Sequence, residues 1–300
     1  MPTLSAIVPA TNTPPTLQTC VDAIRGADEA PEEVIVVEEG GGGPAEARNR
    51  GATRATGEVL VFVDADVVVH RDAFTRIRRA FDADTSLAAL FGSYDDTPAD
   101  PGAVSQFRNL LHHHVHHEGA GPATTFWAGL GAVRRDVFEA SGGFDAERYP
   151  VPSVEDIDLG TRLSAAGRRI ELDPSVQGTH LKAWRLQGMV ESDLWHRGVP
   201  WVELLLRHGT RSSALNLGWR HRLSAVASLA AAFSLLRGRW SRTFVALGAL
   251  VALNRSFYAL LLRRRGGLEA AAGIGLHALH HVVGALAVPI ALLERLRRSE

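Results

Sequence analysis

Two aspartates stand one residue apart in this sequence, directly after an unbroken apolar run. The run covers residues 59–63, and Asp64 and Asp66 follow it on either side of Ala65. β-branched and aromatic residues without a polar break predict a strand buried on both faces, so both carboxylates stand where that strand ends. Carboxylates and phosphates both offer hard oxygens, and such a pair can share Mg²⁺ or Mn²⁺ with a diphosphate. The alternative is an ordinary turn after a core strand, where aspartate is common.

Length and composition limit what the rest of the chain can be. The 300 residues exceed one average domain, so we expect a domain of about 200 residues and a second part. A net charge of -1 gives no indication of nucleic-acid binding. The single cysteine, Cys20, excludes an internal disulfide framework and favours a reducing compartment. The first residues do not resemble a signal peptide, so we expect the first domain in the cytoplasm.

Strand and helix patterns alternate over the first hundred residues. Strands are predicted at residues 4–8, 34–37, 59–63 and 87–91, and helices at 16–24, 44–56 and 72–81. This alternation predicts an α/β fold with right-handed crossovers and a mostly parallel sheet. Ligands bind such sheets beyond the carboxyl ends of the strands, where the acidic residues of this sequence collect.

Four glycines, residues 40–43, follow the second predicted strand and its acidic end. Such a loop either lets the backbone approach a ligand closely or serves only as a flexible connector. The glycines form neither a G-x-G-x-x-G nor a Walker pattern, so both interpretations stay open.

Six pieces of the sequence resemble, in order and spacing, family 2 glycosyltransferases of the GT-A fold. They are Ser-Ala-Ile-Val-Pro at 5–9, Val-Ile-Val-Val-Glu at 34–38, Ala-Arg-Asn-x-Gly at 47–51, Gly-Glu-Val-Leu-Val-Phe-Val-Asp-Ala-Asp at 57–66, Gly-Gly-Phe-Asp at 142–145 and Glu-Asp-x-Asp-Leu-x-x-Arg-Leu at 155–163. The resemblance covers about residues 4–185. It implies an inverting enzyme that moves a sugar from a nucleoside diphosphate sugar, UDP before GDP, to a membrane-associated acceptor such as a polyprenyl phosphate, glycolipid or glycan.

The resemblance also implies a role for particular residues. Asp156 matches the general base that takes a proton from the acceptor hydroxyl. Asp66 and His180 are expected to hold Mg²⁺ or Mn²⁺. The expected donor-binding residues are Pro9, Glu38, Arg48, Asp64, Asp95, Gly129 and Lys182, and the expected acceptor-binding residues are Glu155 and Trp184.

Structural alternatives exist for several of these assignments. The helix dipole favours acidic residues such as Glu155 and Asp156 in a first turn. Asp95 lies in a turn-rich segment, and Gly129 fits a tight sheet bend as well as space for a sugar. Glu38 stands where the family usually has the aspartate that reads the nucleotide base. The longer carboxylate can still accept a hydrogen bond from uracil or guanine.

Five histidines fall within residues 112–117 of a predicted helix, 104–118. His112 with His116, and His113 with His117, have the i, i+4 spacing that can chelate a metal on one helix face. No His-Glu-x-x-His pattern follows. A helix that faces the acceptor or a membrane surface explains these residues equally well.

The last strand is predicted at residues 172–176, and we expect it at the sheet edge. The composition becomes apolar after Trp201 and the run 202–206. We predict a catalytic domain at 1–210 and membrane-associated helices at 211–300. Residues 223–236 are too short to span and suggest an interfacial helix, whereas 243–262 and 268–293 match the hydrocarbon core in length. The expected location is the cell membrane, with both chain ends and the catalytic domain cytoplasmic. A soluble helical domain is the alternative.

Two other classes of protein share parts of this pattern. A nucleotidyltransferase also holds a metal with paired aspartates, but it should have an early glycine-rich loop with basic residues, and residues 9–14 have neither. A non-catalytic membrane scaffold with a degenerate transferase fold is supported only by Glu38.

Overall fold

The computed structural model describes residues 1–11, 13–38, 42–208 and 218–298. They form two compact units: Met1–Ala99 with Val115–Lys182, and Asp100–His114 with Ala183–Glu300. Part of the predicted glycine loop and the predicted domain boundary at residue 210 lie outside the described residues. The division into domains at that boundary stays a prediction.

The first unit is built on a sheet of eight strands. They are β1 (Leu4–Pro9), β2 (Glu33–Val37), β3 (Val59–Val63), β4 (Val67–Val69), β5 (Leu87–Tyr94), β6 (Gly121–Ala123), β7 (Leu130–Arg134) and β8 (Arg169–His180). Their order is β2-β1-β3-β7-β5-β8-β4, and β6 also pairs with β8. The predicted α/β fold is confirmed.

The pairing partners give the direction of every strand. β2, β1 and β3 are mutually parallel. β7 runs against both β3 and β5, so β5 has the direction of β3, and β8 is parallel to β5. β4 and β6 run against β8. Five strands therefore share one direction, and their carboxyl ends lie along a single edge of the sheet.

The helices of the first unit are α1 (Leu17–Arg25), α2 (Pro44–Arg54), α3 (Ala73–Ala83), α5 (Arg135–Ala140) and α6 (Glu155–Ala165), and α4 (Ala103–Glu118) contributes to both units. Burial of Cys20 and Ile24 from α1 and of Phe74 and Ile77 from α3 places their apolar faces against the strands. In α2, a Cβ at Gly51 would come within 2.3 Å of the Ile7 side chain, so this glycine lets the helix lie close to β1.

The prediction of an edge strand at residues 172–176 is wrong. β8 is twelve residues long and lies inside the sheet, between β5 and its antiparallel partners. Its register with β5 jumps from Leu172 opposite Phe91 to Gln177 opposite Ser93. The intervening residues form a bulge that includes Pro174. A proline argues against an interior strand unless a bulge removes it from the ladder, as happens here.

The second unit is helical over its described residues. It contains α7 (Leu186–Glu191), a π-helical segment (Ser192–Gly198), α8 (Val199–His208), α9 (Trp219–Leu236), α10 (Trp240–Leu253), α11 (Arg255–Arg265) and α12 (Gly267–Arg298). Within the described ranges, α12 is the one straight helix long and apolar enough to cross a membrane, judged by length and composition. It includes the predicted span 268–293.

The prediction of an unbroken helix over residues 243–262 is wrong. α10 and α11 together are apolar enough for a span, but they meet at 87°. Asn254 lies at the break, and its side-chain amide donates hydrogen bonds to the Leu250 carbonyl and to Ser224 Oγ, each at 2.9 Å. A buried asparagine satisfied in this way competes with the helical backbone bonds and ends the helix.

A buried carboxylate links two helices of the second unit. Asp193, in the π-helical segment, pairs with Arg108 of α4 and accepts a hydrogen bond from His280 Nδ1 of α12 at 2.8 Å. Burial works to raise the pKa of Asp193, but the charges of His280 and Arg108 outweigh it and lower the pKa to about 2. The carboxylate therefore stabilises this unit in its ionised form.

Asp193→Asn should cost stability at neutral pH but little in strong acid. Because the folded pKa is depressed, the contribution is complete above the unfolded value and disappears as the pH falls from about 4 towards 2, which amounts to about 2 kcal/mol. We would compare the unfolding free energies of both proteins in detergent between pH 6 and 2.5. Glu191→Gln, at an exposed position, is the control, and a pH-independent difference for Asp193→Asn would contradict the ion-pair explanation.

Candidate active site

Most of the predicted site residues lie along one edge of the sheet. Pro9, Glu38, Asp64, Asp95 and His180 end or directly follow β1, β2, β3, β5 and β8, which share one direction. Asp66 and Gly129 precede β4 and β7, which run the opposite way. The amino ends of antiparallel strands lie at the carboxyl ends of their neighbours, so all seven residues occupy the same edge.

The two aspartates of the turn after β3 have different surroundings. The Asp64 backbone N–H donates to the Gly129 carbonyl at 3.0 Å, which ties the end of β3 to the start of β7. Asp66 directly precedes β4, whose first residue, Val67, is opposite His180 in the register. Asp66 Oδ2 is consequently 3.5 Å from His180 Nε2.

Asp66 and His180 form a donor pair that fits a divalent cation. The His180 ring stacks on Tyr94 with centroids 4.1 Å apart, which holds the imidazole in place. Burial works to raise the pKa of Asp66, but His180 and Lys182 lower it overall, so the carboxylate is ionised. Carboxylate and imidazole are ligands that suit Mn²⁺. Within the described ranges no group of three or more such side chains is assembled for a metal.

Arg48 joins the end of β3 to the start of α6. Its two terminal nitrogens donate to Asp64 Oδ1 at 2.7 Å and to Glu155 Oε1 at 2.8 Å. The guanidinium is almost fully buried and lies over the Phe144 ring, 5.5 Å from its centroid. Burial disfavours the charge, but the nearby carboxylates outweigh it and raise the pKa of Arg48 above its ordinary value. The donor-binding role of Arg48 stays a prediction, and its visible function is to position two carboxylates.

Asp156, the second residue of α6, lies next to the contacts of Arg48 with Asp64 and Glu155. Its Oδ2 accepts a hydrogen bond from the Ala128 N–H at 3.1 Å, and the following residue, Gly129, accepts from Asp64. Asp156 is also close enough to Arg48 to raise its pKa. The predicted base and the first aspartate of the turn after β3 are therefore brought together through residues 128 and 129.

Asn49 has a structural role that the sequence did not reveal. Its side chain donates to the Phe144 carbonyl at 2.8 Å and accepts from the Phe144 N–H at 2.9 Å. Arg48 and Asn49, which are adjacent in α2, thus anchor the start of α6 and the turn at 142–145. Their adjacency within the piece 47–51 was visible, but a single sequence does not tell which distant backbone an asparagine will bind.

The packing around Gly129 leaves no space for a side chain at this position. A Cβ at this position would be 2.4 Å from the Trp127 ring. Trp127 in turn meets Tyr94 edge-on, with centroids 4.8 Å apart. The ring of Trp127 thus occupies the side of Gly129 that a side chain would need, and a role of this glycine in donor binding stays a prediction.

Asp95 is held by protein groups. His70 Nε2 lies 3.0 Å from Asp95 Oδ2, and the hydroxyl of Thr179 donates to the same oxygen. Burial works to raise the pKa of Asp95, but these hydrogen bonds lower it overall. The contacts tie β4 and β8 to the end of β5. A role in binding the donor sugar stays a prediction.

The remaining predicted residues differ in their surroundings. Glu38 and Lys182 are exposed, and Pro9 is partly buried. Trp184 belongs to the second unit, where its backbone N–H donates to Ser105 Oγ at 2.7 Å and the Arg108 guanidinium lies 4.8 Å from the centroid of its ring. In the histidine-rich helix, His116 is buried and its Nδ1 donates to the Gly92 carbonyl at 2.8 Å, which is a packing role.

Comparison with known proteins agrees with this geometry. Residues 33–142 match the family model described as glycosyl transferase family 2. No curated protein matches the sequence significantly. A mannosyltransferase from Pyrobaculum calidifontis, solved in complex with GDP-mannose and Mn²⁺, is 19% identical with a TM-score of 0.58, and the alignment covers 96% of this chain and 87% of that one.

A second structure aligns less well. Glucosyl-3-phosphoglycerate synthase from Mycobacterium tuberculosis, in complex with Mn²⁺ and UDP-glucose, is 18% identical with a TM-score of 0.48, covering 71% of this chain and 81% of that one. A TM-score below 0.5 is too low to support a shared fold, and the first likeness supports the fold alone. The family match over residues 33–142 and the likeness in fold confirm the predicted resemblance to family 2 glycosyltransferases of the GT-A fold.

Arg48→Gln should destabilise the protein by about 3–5 kcal/mol, because it leaves buried Glu155 without its partner. Arg50→Gln is the matched control: Arg50 is partly exposed and pairs with Glu46 on the same helix, so its loss should cost about 1 kcal/mol or less. The free energies of unfolding of the purified proteins measure both changes in stability. Equal stabilities of the two variants would contradict a stabilising role for the Arg48 contacts.

Proposed function

We propose that this protein is an inverting glycosyltransferase that moves a sugar from a nucleoside diphosphate donor to a membrane-associated acceptor with the help of Mg²⁺ or Mn²⁺. The observation that carries the proposal is the collection of Asp64, Asp66, His180 and Asp156 at one edge of the sheet. The family match over residues 33–142 supports a sugar transferase over a nucleotidyltransferase.

Each group at the edge has a chemical task in this proposal. Asp66 and His180 would hold the cation, which when bound neutralises the charge that develops on the departing diphosphate. Lys182 is close enough to Asp66 to influence its pKa and would add a positive charge beside the same oxygens. Pro9, Glu38 and Gly129, at the ends of β1, β2 and the start of β7, would contact the donor. Asp64, fixed by Arg48, would accept hydrogen bonds from it.

Asp156 would take the proton from the acceptor hydroxyl. Its two oxygens accept hydrogen bonds from the backbone N–H groups of Ala128 and Ile157, which fix the carboxylate in place. A carboxylate held in place can accept a proton as the acceptor oxygen attacks the anomeric carbon opposite the leaving group. Attack from that side inverts the configuration. Glu155, bound to Arg48, would border the acceptor site.

The membrane part of the proposal depends on the second unit. α12 is long and apolar enough to cross a bilayer, and Trp184 of this unit is the predicted acceptor contact. A hydrophobic acceptor such as a polyprenyl phosphate, glycolipid or membrane-bound glycan would then meet the enzyme at the membrane surface. We place the catalytic domain on the cytoplasmic side, where nucleotide sugars are made.

Asp156→Asn should lower the transfer rate by about 10²–10⁴-fold and leave donor affinity unchanged. The amide oxygen can still accept from the Ala128 N–H, so the fold should persist. We would measure transfer with a panel of UDP- and GDP-sugars and membrane extract as acceptor source, and donor binding by calorimetry. Asp136→Asn, at an exposed position of α5, is the control.

Full activity of Asp156→Asn would remove this residue as the base. Donor binding without turnover of any tested sugar by the wild-type protein would instead favour the non-catalytic scaffold. Release of pyrophosphate from a nucleoside triphosphate would indicate a nucleotidyltransferase.

Removal of divalent cations should stop transfer, and Mn²⁺ or Mg²⁺ should restore it. His180→Ala should raise the metal concentration for half-maximal activity by at least about tenfold, because half of the protein donor pair is lost. Asp72→Asn, a partly exposed carboxylate paired with Arg76, should leave that concentration unchanged. Unaltered transfer in excess chelator would rule out the metal requirement while leaving the sugar transfer itself established.

A further inference from the structure

The helices α9 and α10 enclose an open apolar groove that has no role in the proposed reaction. It has a volume of about 900 Å³ and is lined by small and branched side chains, including Val226, Ala230, Val245 and Ala249. This volume falls within the range of about 300–1,000 Å³ that is usual for ligand sites. The groove therefore has the size and lining of a site for a hydrocarbon chain.

The two ends of the groove differ in polarity. Ser224 near the start of α9 receives a hydrogen bond from Asn254 at the end of α10, so the helices are antiparallel. The end nearest their connection carries Ser234, Ser241 and Arg242, and the opposite end carries apolar residues. Exposed tryptophans stand beside both ends, Trp240 at the connection and Trp219 at the start of α9, so they do not distinguish the ends. The two serines and Arg242 make the connection the end that suits a polar headgroup.

Charge favours an anionic headgroup. Residues 204–268 contain eleven arginines and no aspartate or glutamate. Three of these arginines, Arg237, Arg239 and Arg242, stand in or next to the connection between the helices. No described carboxylate pairs with Arg242, and Arg237 lies over the Phe233 ring at 4.7 Å from its centroid. A phosphate at this end would complement a local excess of positive charge.

The length of the groove matches one leaflet of a bilayer. Its lining on α9 runs from Leu223 to Ser234, eleven residues along the helix. At 1.5 Å per residue this is about 16 Å. Half of a hydrocarbon core of about 30 Å is about 15 Å. The groove is therefore long enough to hold an acyl chain.

We infer that the groove between α9 and α10 binds one anionic phospholipid, with an acyl chain along the apolar walls and the headgroup phosphate at Arg242. The inference rests on the membrane attachment proposed above but does not require sugar transfer. The bound lipid would fix this helix pair in a leaflet that contains anionic lipid.

Lipid binding to the full-length protein tests the inference. The protein, purified in neutral detergent, is titrated with phosphatidylglycerol and with phosphatidylcholine of identical acyl chains, and bound lipid is counted by native mass spectrometry. Phosphatidylglycerol should bind at least about tenfold more tightly. Arg242→Gln should reduce this preference about fivefold, the effect expected for one arginine near an anionic surface. Glycerol 3-phosphate, the headgroup without chains, should not compete.

Groove-filling variants separate the chain contact from the charge. Ala249→Phe and Ala230→Phe place a ring at exposed positions of the groove and should each weaken binding of both lipids at least about tenfold. The matched controls are Ala271→Phe and Arg263→Gln, which are exposed on α12 and α11 outside the groove lining. Both controls should bind lipid as the wild type does.

Several results would overturn the inference. They are equal affinity for the two phospholipids, unchanged binding in both groove-filling variants, competition by glycerol 3-phosphate, or tighter binding of a polyprenyl phosphate, which would assign the groove to an acceptor. Because the assay contains no sugar donor, a negative result for lipid binding does not bear on whether the transferase is active.

Discussion

The arrangement of the candidate site residues depends on the buried guanidinium of Arg48. Arg48 extends from α2 and binds Asp64 at the end of β3 and Glu155 at the start of α6. Without the positive charge of Arg48 between them, these two carboxylates and Asp156 would repel one another in a site of low dielectric. A buried charge is tolerated only when its partners compensate the lost solvation, and here the compensation also fixes the distance between the turn after β3 and the start of α6.

Strand direction explains why residues far apart in sequence meet. Five strands with a common direction bring their carboxyl ends to one edge, and β4 and β7 add their amino ends there because they run the opposite way. The pairing of β4 with β8 then sets Asp66 beside His180, 114 positions later in the chain. The proposed metal ligands are thus brought together by strand pairing, and the Tyr94 ring stacks on the imidazole.

The parts of the fold that follow from local patterns were predictable from the sequence. The strand before Asp64 and the helix after residue 154 follow from uninterrupted apolar residues and from helical spacing with an acidic first turn. The interior position of β8 was not predictable, since Pro174 indicates an edge and only the bulge opposite β5 accommodates it. Likewise, the bend at Asn254 depends on Ser224, thirty residues away. Long-range partners of single polar side chains leave no periodic signal in the sequence.

Most of the large hydrophobic residues that are exposed lie in the helical unit. Of the 22 large hydrophobic residues that are exposed in the described ranges, all but Met1 and Val151 lie in this unit. Some of its buried polar side chains are paired: Asp193 with Arg108 and His280, and Tyr258 with His277. Apolar surface of this extent marks an interaction site. Together with the excess of arginine, it is the ground on which we propose attachment to an anionic membrane.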